Sequence, residues 1–169
     1  MIIEAMPIDQ RDYVYSQEKN PAFMSTLLQA FSDANSRVKS IEDILKRGIY
    51  LTTAIKCSKI GYSVSAKSIE NCSFILEKEF KQFPNIEVVL LMGDVAIKSF
   101  NYISKRSIGK KTIPTGSTYK IRKDEFYYKN IRVFPSYLPI GQNYLIEKSK
   151  RKMIAEDLTN ALKIINEKK

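Results

Sequence analysis

The chain has 169 residues, of which 44% are hydrophobic, and 28 Lys and Arg against 18 Asp and Glu give a formal net charge of +10. This length and composition predict one domain spanning residues 1–169 and exclude a wholly disordered chain. No apolar stretch approaches the roughly 20 residues of a membrane-spanning helix, and the first residues lack the basic segment of a signal peptide. We therefore expect a cytoplasmic (or nuclear) monomer without a membrane partner.

The excess of positive charge favours a polyanionic partner, above all nucleic acid, because neutralised phosphates release counterions. A chain that uses lysine as its ordinary solubilising residue would carry the same excess, so both explanations stay open. The sequence has no histidine, which excludes Ser-His and Cys-His nucleophilic sites and histidine-ligated metals. Its two cysteines, Cys57 and Cys72, do not complete a four-thiolate zinc or iron–sulfur site. We expect no cofactor and no metal.

The first third of the chain reads as strand, loop and helices. Residues 2–3 predict a short strand, and the polar loop 9–20 behind it mixes acids with tyrosines, which makes it a candidate active-site loop. A helix opening near Pro21 follows, then a shorter one capped by Ser40. Residues 49–55, rich in β-forming residues, predict the second strand.

The clearest structural signal is the stretch 86–100, IEVVLLMGDVAIKSF. Its continuous aliphatic run suits a strand buried on both faces, as in a parallel sheet covered by helices. Gly93 permits a tight turn, and Asp94 is the predicted N-cap of the following helix. Such a unit points the helix N-terminus at the carboxyl edge of the sheet, where open α/β folds bind ligands.

The remaining segments complete an alternation of strands and helices. We predict a helix over 65–83, a hairpin pairing 118–121 with 126–128, a core strand at 131–134, a long loop over 135–143 and a final helix over 146–165. The fold class is therefore α/β: a three-layer αβα sandwich with a mainly parallel central sheet of about four strands.

Six short motifs, taken in chain order, carry a resemblance to a known family. They are IEAMP (3–7), PAF (21–23), YLTTAIKC (50–57), ENC (70–72), LMGDVA (91–96), and FPSYLP (134–139) followed by EDL (156–158). Together they resemble the uracil-DNA glycosylase superfamily over nearly the whole chain, and most closely its iron–sulfur-bearing branch. The resemblance implies a protein that binds DNA and excises uracil or another deaminated base by N-glycosidic hydrolysis, in base excision repair.

Several positions depart from the pattern of that branch. Leu138 stands where the family has a histidine that stabilises the leaving base or holds the flipped nucleotide. Thr53 replaces the asparagine that reads the edge of uracil, and it offers one hydroxyl in place of an amide. Cys57 and Cys72 match two of four cluster ligands, so we expect no cluster. Two further functions stay open: a catalytically silent DNA-binding or adaptor protein, and an enzyme acting on another base or a free nucleoside.

The resemblance and the loop chemistry nominate a set of site residues. We expect Glu4 and Asp9 as catalytic acids that position water or the oxocarbenium-like sugar. We expect Tyr15, Phe23 and Thr53 to bind the base. The predicted DNA-contacting loop holds Ser136, Tyr137, Leu138, Gln142 and Asn143, and the predicted phosphate-binding cations are Lys105, Arg106, Lys110, Lys111, Lys150 and Arg151. Four of these expectations have a structural alternative: a helix or loop cap for Glu4, core packing for Phe23, a plain strand position for Thr53 and a solvated helix face for the run Lys148–Lys152.

Overall fold

A central sheet of five strands organises the chain in the computed structural model, which describes residues 1–17, 21–58 and 63–167, with the backbone alone at 142–143. The strands are β1 (Ile2–Met6), β2 (Thr52–Ser58), β3 (Val88–Met92), β4 (Phe126–Tyr128) and β5 (Ile131–Ser136). The helices are α1 (Ala22–Asp33), α2 (Ile41–Lys46), α3 (Ala66–Phe80), α4 (Asp94–Ile108), α5 (Thr118–Ile121), α6 (Gln142–Ile146) and α7 (Lys148–Glu167). Within these ranges no helix is both long and apolar enough to cross a bilayer.

The sheet has the order β2-β1-β3-β5-β4, and every pairing is parallel except that between β4 and β5. Residues along β3 alternate between two cores, with Leu90 and Met92 packing on the side of α1 and α7, and Val89 and Leu91 on the side of α3 and α4. Burial of β3 on both faces explains its unbroken aliphatic sequence. The αβα sandwich with a mainly parallel sheet is confirmed.

Two details of the predicted architecture were wrong. Thr118–Ile121 forms a helical turn, α5, and β4 pairs instead with β5 across a tight turn, which adds a fifth strand at the sheet edge. Lys129 occupies this turn with a φ of 55°. The N-cap of α4 is Gly93, so Asp94 is the first residue of the helix, where its charge is favourable for the helix dipole.

The order of the strands places a topological switch point between β1 and β3. From β1 the chain moves outward to β2, and it then crosses β1 to form β3 on the other side. The connections that leave the carboxyl ends of β1 and β3 therefore diverge, and in open α/β sheets the crevice at such a point is the usual ligand site. Helix α4 starts at this carboxyl edge and, at 15 residues, ends about 22 Å away at the amino edge.

Candidate active site

Glu4 of β1 lies directly against the turn that follows β3, at the switch point. The backbone amide of Val95, in the first turn of α4, donates a hydrogen bond to Glu4 Oε1 at 3.3 Å. Gly93 has a φ of +105°, and a Cβ at that position would come within 2.6 Å of Glu4 Oε1. Gly93 is therefore required both by its backbone conformation and by the close approach of this carboxylate. The predicted catalytic acid lies, half-buried, at the positive end of a helix.

Asp9 lies on the exposed loop after β1 and caps a single 3-10 turn. Its carboxylate accepts hydrogen bonds from the Arg11 backbone amide at 3.0 Å and from the Arg11 guanidinium at 2.6–3.0 Å. These bonds lower the pKa of Asp9 to about 2. A carboxylate held by its own neighbour in this way is a poor proton acceptor, so Asp9 is better suited to electrostatic support than to general-base catalysis.

The loop after β1 leads into α1, and the predicted stacking residue Phe23 lies in the first turn of that helix. Asp12 accepts a hydrogen bond from the Ala22 amide at 3.4 Å, which ties the first turn of α1 to the loop after β1. Phe23 is half-buried and packs against the core on the α1 side. Its position next to the β1 loop is compatible with stacking on a base, and core packing already accounts for part of its surface. Residues 18–20 of the predicted loop lie outside the described residues.

Tyr15 lies at the opposite edge of the sheet from Glu4. Its hydroxyl donates to the Leu51 carbonyl at 3.0 Å and accepts from the Leu51 amide at 3.2 Å, and Leu51 precedes the first residue of β2. Its ring makes an edge contact with Tyr13, with the ring centroids 5.5 Å apart. Burial raises the pKa of Tyr15. The loop thus returns to the amino edge before α1, and the structure does not bring Tyr15 to the site that contains Glu4.

Thr53 lies inside the sheet and does not face solvent. It is 1% exposed and pairs in register with Ile3 on β1, near the amino end of β2. A base at the carboxyl edge has no path to this hydroxyl. The predicted role of Thr53 in reading a base edge therefore does not fit its position, and the plain strand alternative does.

Ser136 is fully buried in a polar network that joins β5 to α7. Its hydroxyl donates to Asp157 Oδ2 at 2.6 Å, and Arg122 donates to the same carboxylate through Nη2 at 2.7 Å and Nε at 3.3 Å. Arg122 also bonds the Met153 carbonyl and Glu156. Burial raises the pKa of Asp157, and the hydrogen bonds from Ser136 and Arg122 oppose this effect. Ser136 is therefore a scaffold residue and not a DNA contact.

The residues after Ser136 remain at the carboxyl edge. Tyr137 is half-buried, and the Lys150 ammonium lies 5.7 Å from the centroid of its ring. Leu138 is half-buried against the core on the α1 side. The backbone of α6 begins at Gln142, and the side chains of Gln142 and Asn143 lie outside the described part of the structure. Tyr137 and Leu138 are the members of the predicted loop that are both described and partly accessible.

Two of the predicted phosphate-binding cations lie near this edge, in the first turn of α7. Lys150 forms an exposed ion pair with Glu147 at 2.6 Å. Arg151 donates to Asp33 at 2.7 and 2.9 Å, and the same carboxylate accepts from the Tyr144 hydroxyl at 2.8 Å. Arg151 thus fastens α7 to α1. Lys150 is the more available of the two for a phosphate, because an exposed pair is weak and exchanges readily.

The other four cations lie at the far end of the molecule. Lys105 and Arg106 belong to the last turn of α4, and Lys110 and Lys111 follow Gly109, its C-cap. Arg106 is bound by Glu77 at 2.8 Å and by Ser73, and it covers the ring of Phe74. Because α4 runs away from the carboxyl edge, none of these four reaches the crevice at Glu4. They are therefore remote from the candidate site, and their role in binding phosphate stays a prediction.

A comparison with protein-family models bears directly on this arrangement. The model described as the Uracil DNA glycosylase superfamily matches residues 8–162. The chain belongs to the uracil-DNA glycosylase superfamily. The match covers the region from the loop after β1 to the last turns of α7, and Glu4 lies just before it. No curated protein matches this member of the superfamily. The membership makes it a DNA glycosylase-like protein.

The cysteines of this uracil-DNA glycosylase relative are both free thiols. Cys57 is exposed near the end of β2, and Cys72 is half-buried on α3, the helix that packs against β2. Among the described residues, no cluster of three or more histidine, cysteine, aspartate or glutamate side chains could hold a metal ion. The expectation that no iron–sulfur cluster forms stays a prediction.

Sequence reasoning did not identify three charged residues that shape the site of this superfamily member: Arg122, Asp157 and Asp33. Asp157 occurs in the EDL segment that carried part of the resemblance, but its partners are remote in sequence. Burial of an acid on the inner face of an amphipathic helix is the signal that could have identified it, since such a charge requires a partner. No comparable signal marks Arg122, which ends a four-residue helix.

Proposed function

We propose that this protein binds DNA and excises uracil or another deaminated base by hydrolysis of the N-glycosidic bond, in base excision repair. One observation carries the proposal: the Glu4 carboxylate lies at the switch point of the sheet, half-exposed and fixed against the N-terminus of α4. In open α/β sheets this crevice is the ordinary ligand site. Superfamily membership supplies the class of chemistry.

Hydrolysis of an N-glycosidic bond needs stabilisation at two points. Positive charge develops on the sugar as the bond to the base breaks, and a carboxylate such as Glu4 stabilises that charge or orients the attacking water. The base must first be turned out of the stack and held, and Phe23 and Tyr137 are partly accessible aromatic residues on the segments that follow β1 and β5. Asp9 adds negative charge on the same side.

Stabilisation of the departing base is the weak part of this site. The chain has no histidine, Leu138 is apolar, and Thr53 is buried. Loss of one donor directed at a developing anion typically costs on the order of 100-fold or more in rate. We therefore propose an enzyme that is much slower on uracil than the branch it resembles.

A catalytically silent DNA-binding protein is the second candidate. The Glu4 carboxylate already accepts a hydrogen bond from the Val95 amide, so capping of α4 alone would explain the position of Glu4. Together with the inaccessible hydroxyl of Thr53, this contact favours a scaffold that retains the fold and binds DNA without excising a base.

An excision assay separates the two candidates. Single-stranded oligonucleotides carrying uracil, hypoxanthine or xanthine are incubated with excess protein, and abasic product is scored by alkaline cleavage. Glu4→Gln keeps the shape and an acceptor for the Val95 amide, and we expect it to lose about 100-fold in rate. Glu167→Gln, an exposed acid at the far end of α7, is the matched control. Far-UV circular dichroism verifies that each variant is folded.

The outcomes are distinct. An active wild type with an impaired Glu4→Gln variant supports the enzyme and its site. If the wild type is active and Glu4→Gln matches it, the acid is misassigned, and Asp9→Asn is the next variant to test. If the wild type is inert on every base yet binds the oligonucleotides, the DNA-binding protein is the better description.

A further inference from the structure

A cavity lined mostly by charged and polar side chains lies on the flank of the sheet, away from Glu4. It has a volume of about 520 Å³ and opens between α7, α5 and the β4–β5 hairpin. Its lining includes Lys123, Arg132, Phe134, Lys152, Thr159 and Asn160, and we refer to it as the flank groove. The α7 residues that line it share one stripe of the helix, so the groove follows α7 for about two turns.

Arg132 lines the flank groove, and its guanidinium is fixed by ring contacts and hydrogen bonds. Its guanidinium carbon lies 4.3 Å from the ring centroid of Phe134 and 5.4 Å from that of Tyr127. Nη1 donates to the carbonyls of Phe126 and Val133, and Nη2 donates to that of Asp124. Three of five N–H donors are thus used, and donors at Nε and Nη2 remain. The cation is preorganised, but among the described residues its partners are neutral carbonyls.

The three acids that line the groove, Asp33, Glu156 and Asp157, are all paired with cations other than the three named above. Arg122 pairs with both Glu156 and Asp157, at 3.0 and 2.7 Å. Asp33 pairs with Arg151 at 2.7 Å. Within the described ranges no carboxylate forms an ion pair with Lys123, Arg132 or Lys152. Arg122 and Arg151 together offset two of the three negative charges, so the guanidinium of Arg132 and the ammonium groups of Lys123 and Lys152 leave the flank groove with an excess of positive charge.

We propose that the flank groove binds the phosphodiester backbone of a nucleic-acid strand, at a second point outside the excision site. A planar guanidinium with unused donors matches phosphate oxygens, and the two lysines add charge that a polyanion neutralises. Thr159 and Asn160 contribute polar contacts along the same stripe. The proposal deepens the DNA-binding part of the proposed function and does not depend on base excision.

The position of the groove suits a strand that also passes the candidate active site. The Asp157 side chain meets Ser136 at the carboxyl end of β5, so this level of α7 lies at the carboxyl edge of the sheet. Lys152 is more than one turn nearer the start of α7 and so lies farther out than that edge. A strand leaving the crevice near Glu4 can cross the first turns of α7 and enter the groove at Lys152.

A binding experiment with undamaged DNA tests the proposal. Fluorescence anisotropy measures the affinity of the whole protein for a labelled 30-nucleotide strand and its duplex, both without deaminated bases, across a salt series. The test variant is Lys123→Gln with Lys152→Gln. The control variant, Lys105→Gln with Lys110→Gln, removes the same charge from exposed residues at the amino edge.

We expect the test variant to bind on the order of 10-fold more weakly near 0.1 M salt. The slope of log K against log salt should fall by nearly 2 for the duplex, about 0.9 for each phosphate that the protein no longer neutralises. The control variant should change the affinity much less. Equal weakening in both variants would mean that only net charge matters and would overturn the proposal, as would unchanged affinity in both.

Two further outcomes distinguish a failure of the groove proposal from a failure of the proposed function. A wild type that does not bind undamaged DNA at low salt overturns the groove proposal, and the excision assay with excess protein still decides the proposed function. If inorganic phosphate at constant ionic strength protects the wild type but not the test variant against thermal unfolding, while DNA affinity is equal in both, the groove binds a small phosphate instead. That result also overturns the assignment to DNA.

Discussion

Replacement of Arg122 by methionine should be among the most destabilising single changes in this protein. Arg122 and Asp157 are 5% and 2% exposed, and no other described cation reaches the Asp157 carboxylate. The variant would leave a buried acid bonded to Ser136 alone. Removal of one partner of a buried ion pair typically costs about 3–5 kcal/mol. A domain of ordinary stability has about 5–15 kcal/mol in total, so a large part of it would be lost.

Urea unfolding followed by circular dichroism measures this effect. Lys123→Met is the matched control, because Lys123 is the exposed neighbour of Arg122, and it should change the free energy of unfolding by no more than about 0.5 kcal/mol. The triple variant Arg122→Met, Ser136→Ala, Asp157→Leu removes the whole network and should be more stable than Arg122→Met, since no charge stays buried. If Arg122→Met unfolds at the same urea concentration as Lys123→Met, the network does not hold α7 to the sheet.

Three further predictions concern the site, the acid stability and the thiols. Leu138→His should raise single-turnover excision of uracil up to about 100-fold, whereas Leu138→Gln should not; equal rates would show that this position does not meet the base. Burial opposes ionisation of Asp33, but hydrogen bonds from Arg151, Tyr144 and Gln29 outweigh it and lower the pKa of Asp33 below its ordinary 3.8. Its stabilising contribution is therefore complete above about pH 4 and is lost as the pH falls through the folded-state pKa, so Asp33→Asn should flatten the acid limb of stability measured by urea unfolding; an unchanged limb would contradict the sign. The purified protein should be colourless with no stoichiometric iron by elemental analysis, and Cys57→Ser with Cys72→Ser should have the same spectrum; an iron-dependent absorbance that disappears in that variant would contradict the prediction.

The fold was largely predictable because its strongest elements are local. The aliphatic run at 88–92, the glycine at 93 and the helix behind it form one unit whose period and turn chemistry agree. The prediction for segment 118–121 was wrong because three of its four residues are β-formers, whereas the segment forms a helical turn that packs against β5. Short segments carry too few residues for periodicity to outweigh propensity.

The site was predictable only in part, because its residues are fixed by remote partners. Glu4 was nominated from the motif at residues 3–7, and the structure places it on β1 against the turn after β3, while its catalytic role stays a prediction. Ser136 was misplaced, since its partner Asp157 is on another element. The loop after β1 carries Tyr15 back to the amino edge of the sheet, and no local sequence pattern indicates this change of direction. The distance of Lys105 and Lys110 from the candidate site could have been predicted, because a 15-residue helix that starts at one edge of a sheet ends at the other.

The central position of β1 also has a consequence for how the protein folds. Ile2 pairs with Thr52 and with Leu91, about 50 and about 90 residues later in the chain. Pairings this distant in sequence require closure of large loops and are slow to form. Glu4 reaches its place against α4 only after β3 has docked on β1. We therefore expect chain collapse to precede assembly of the candidate site, and the helices of a partly folded chain to form before Glu4 reaches its position.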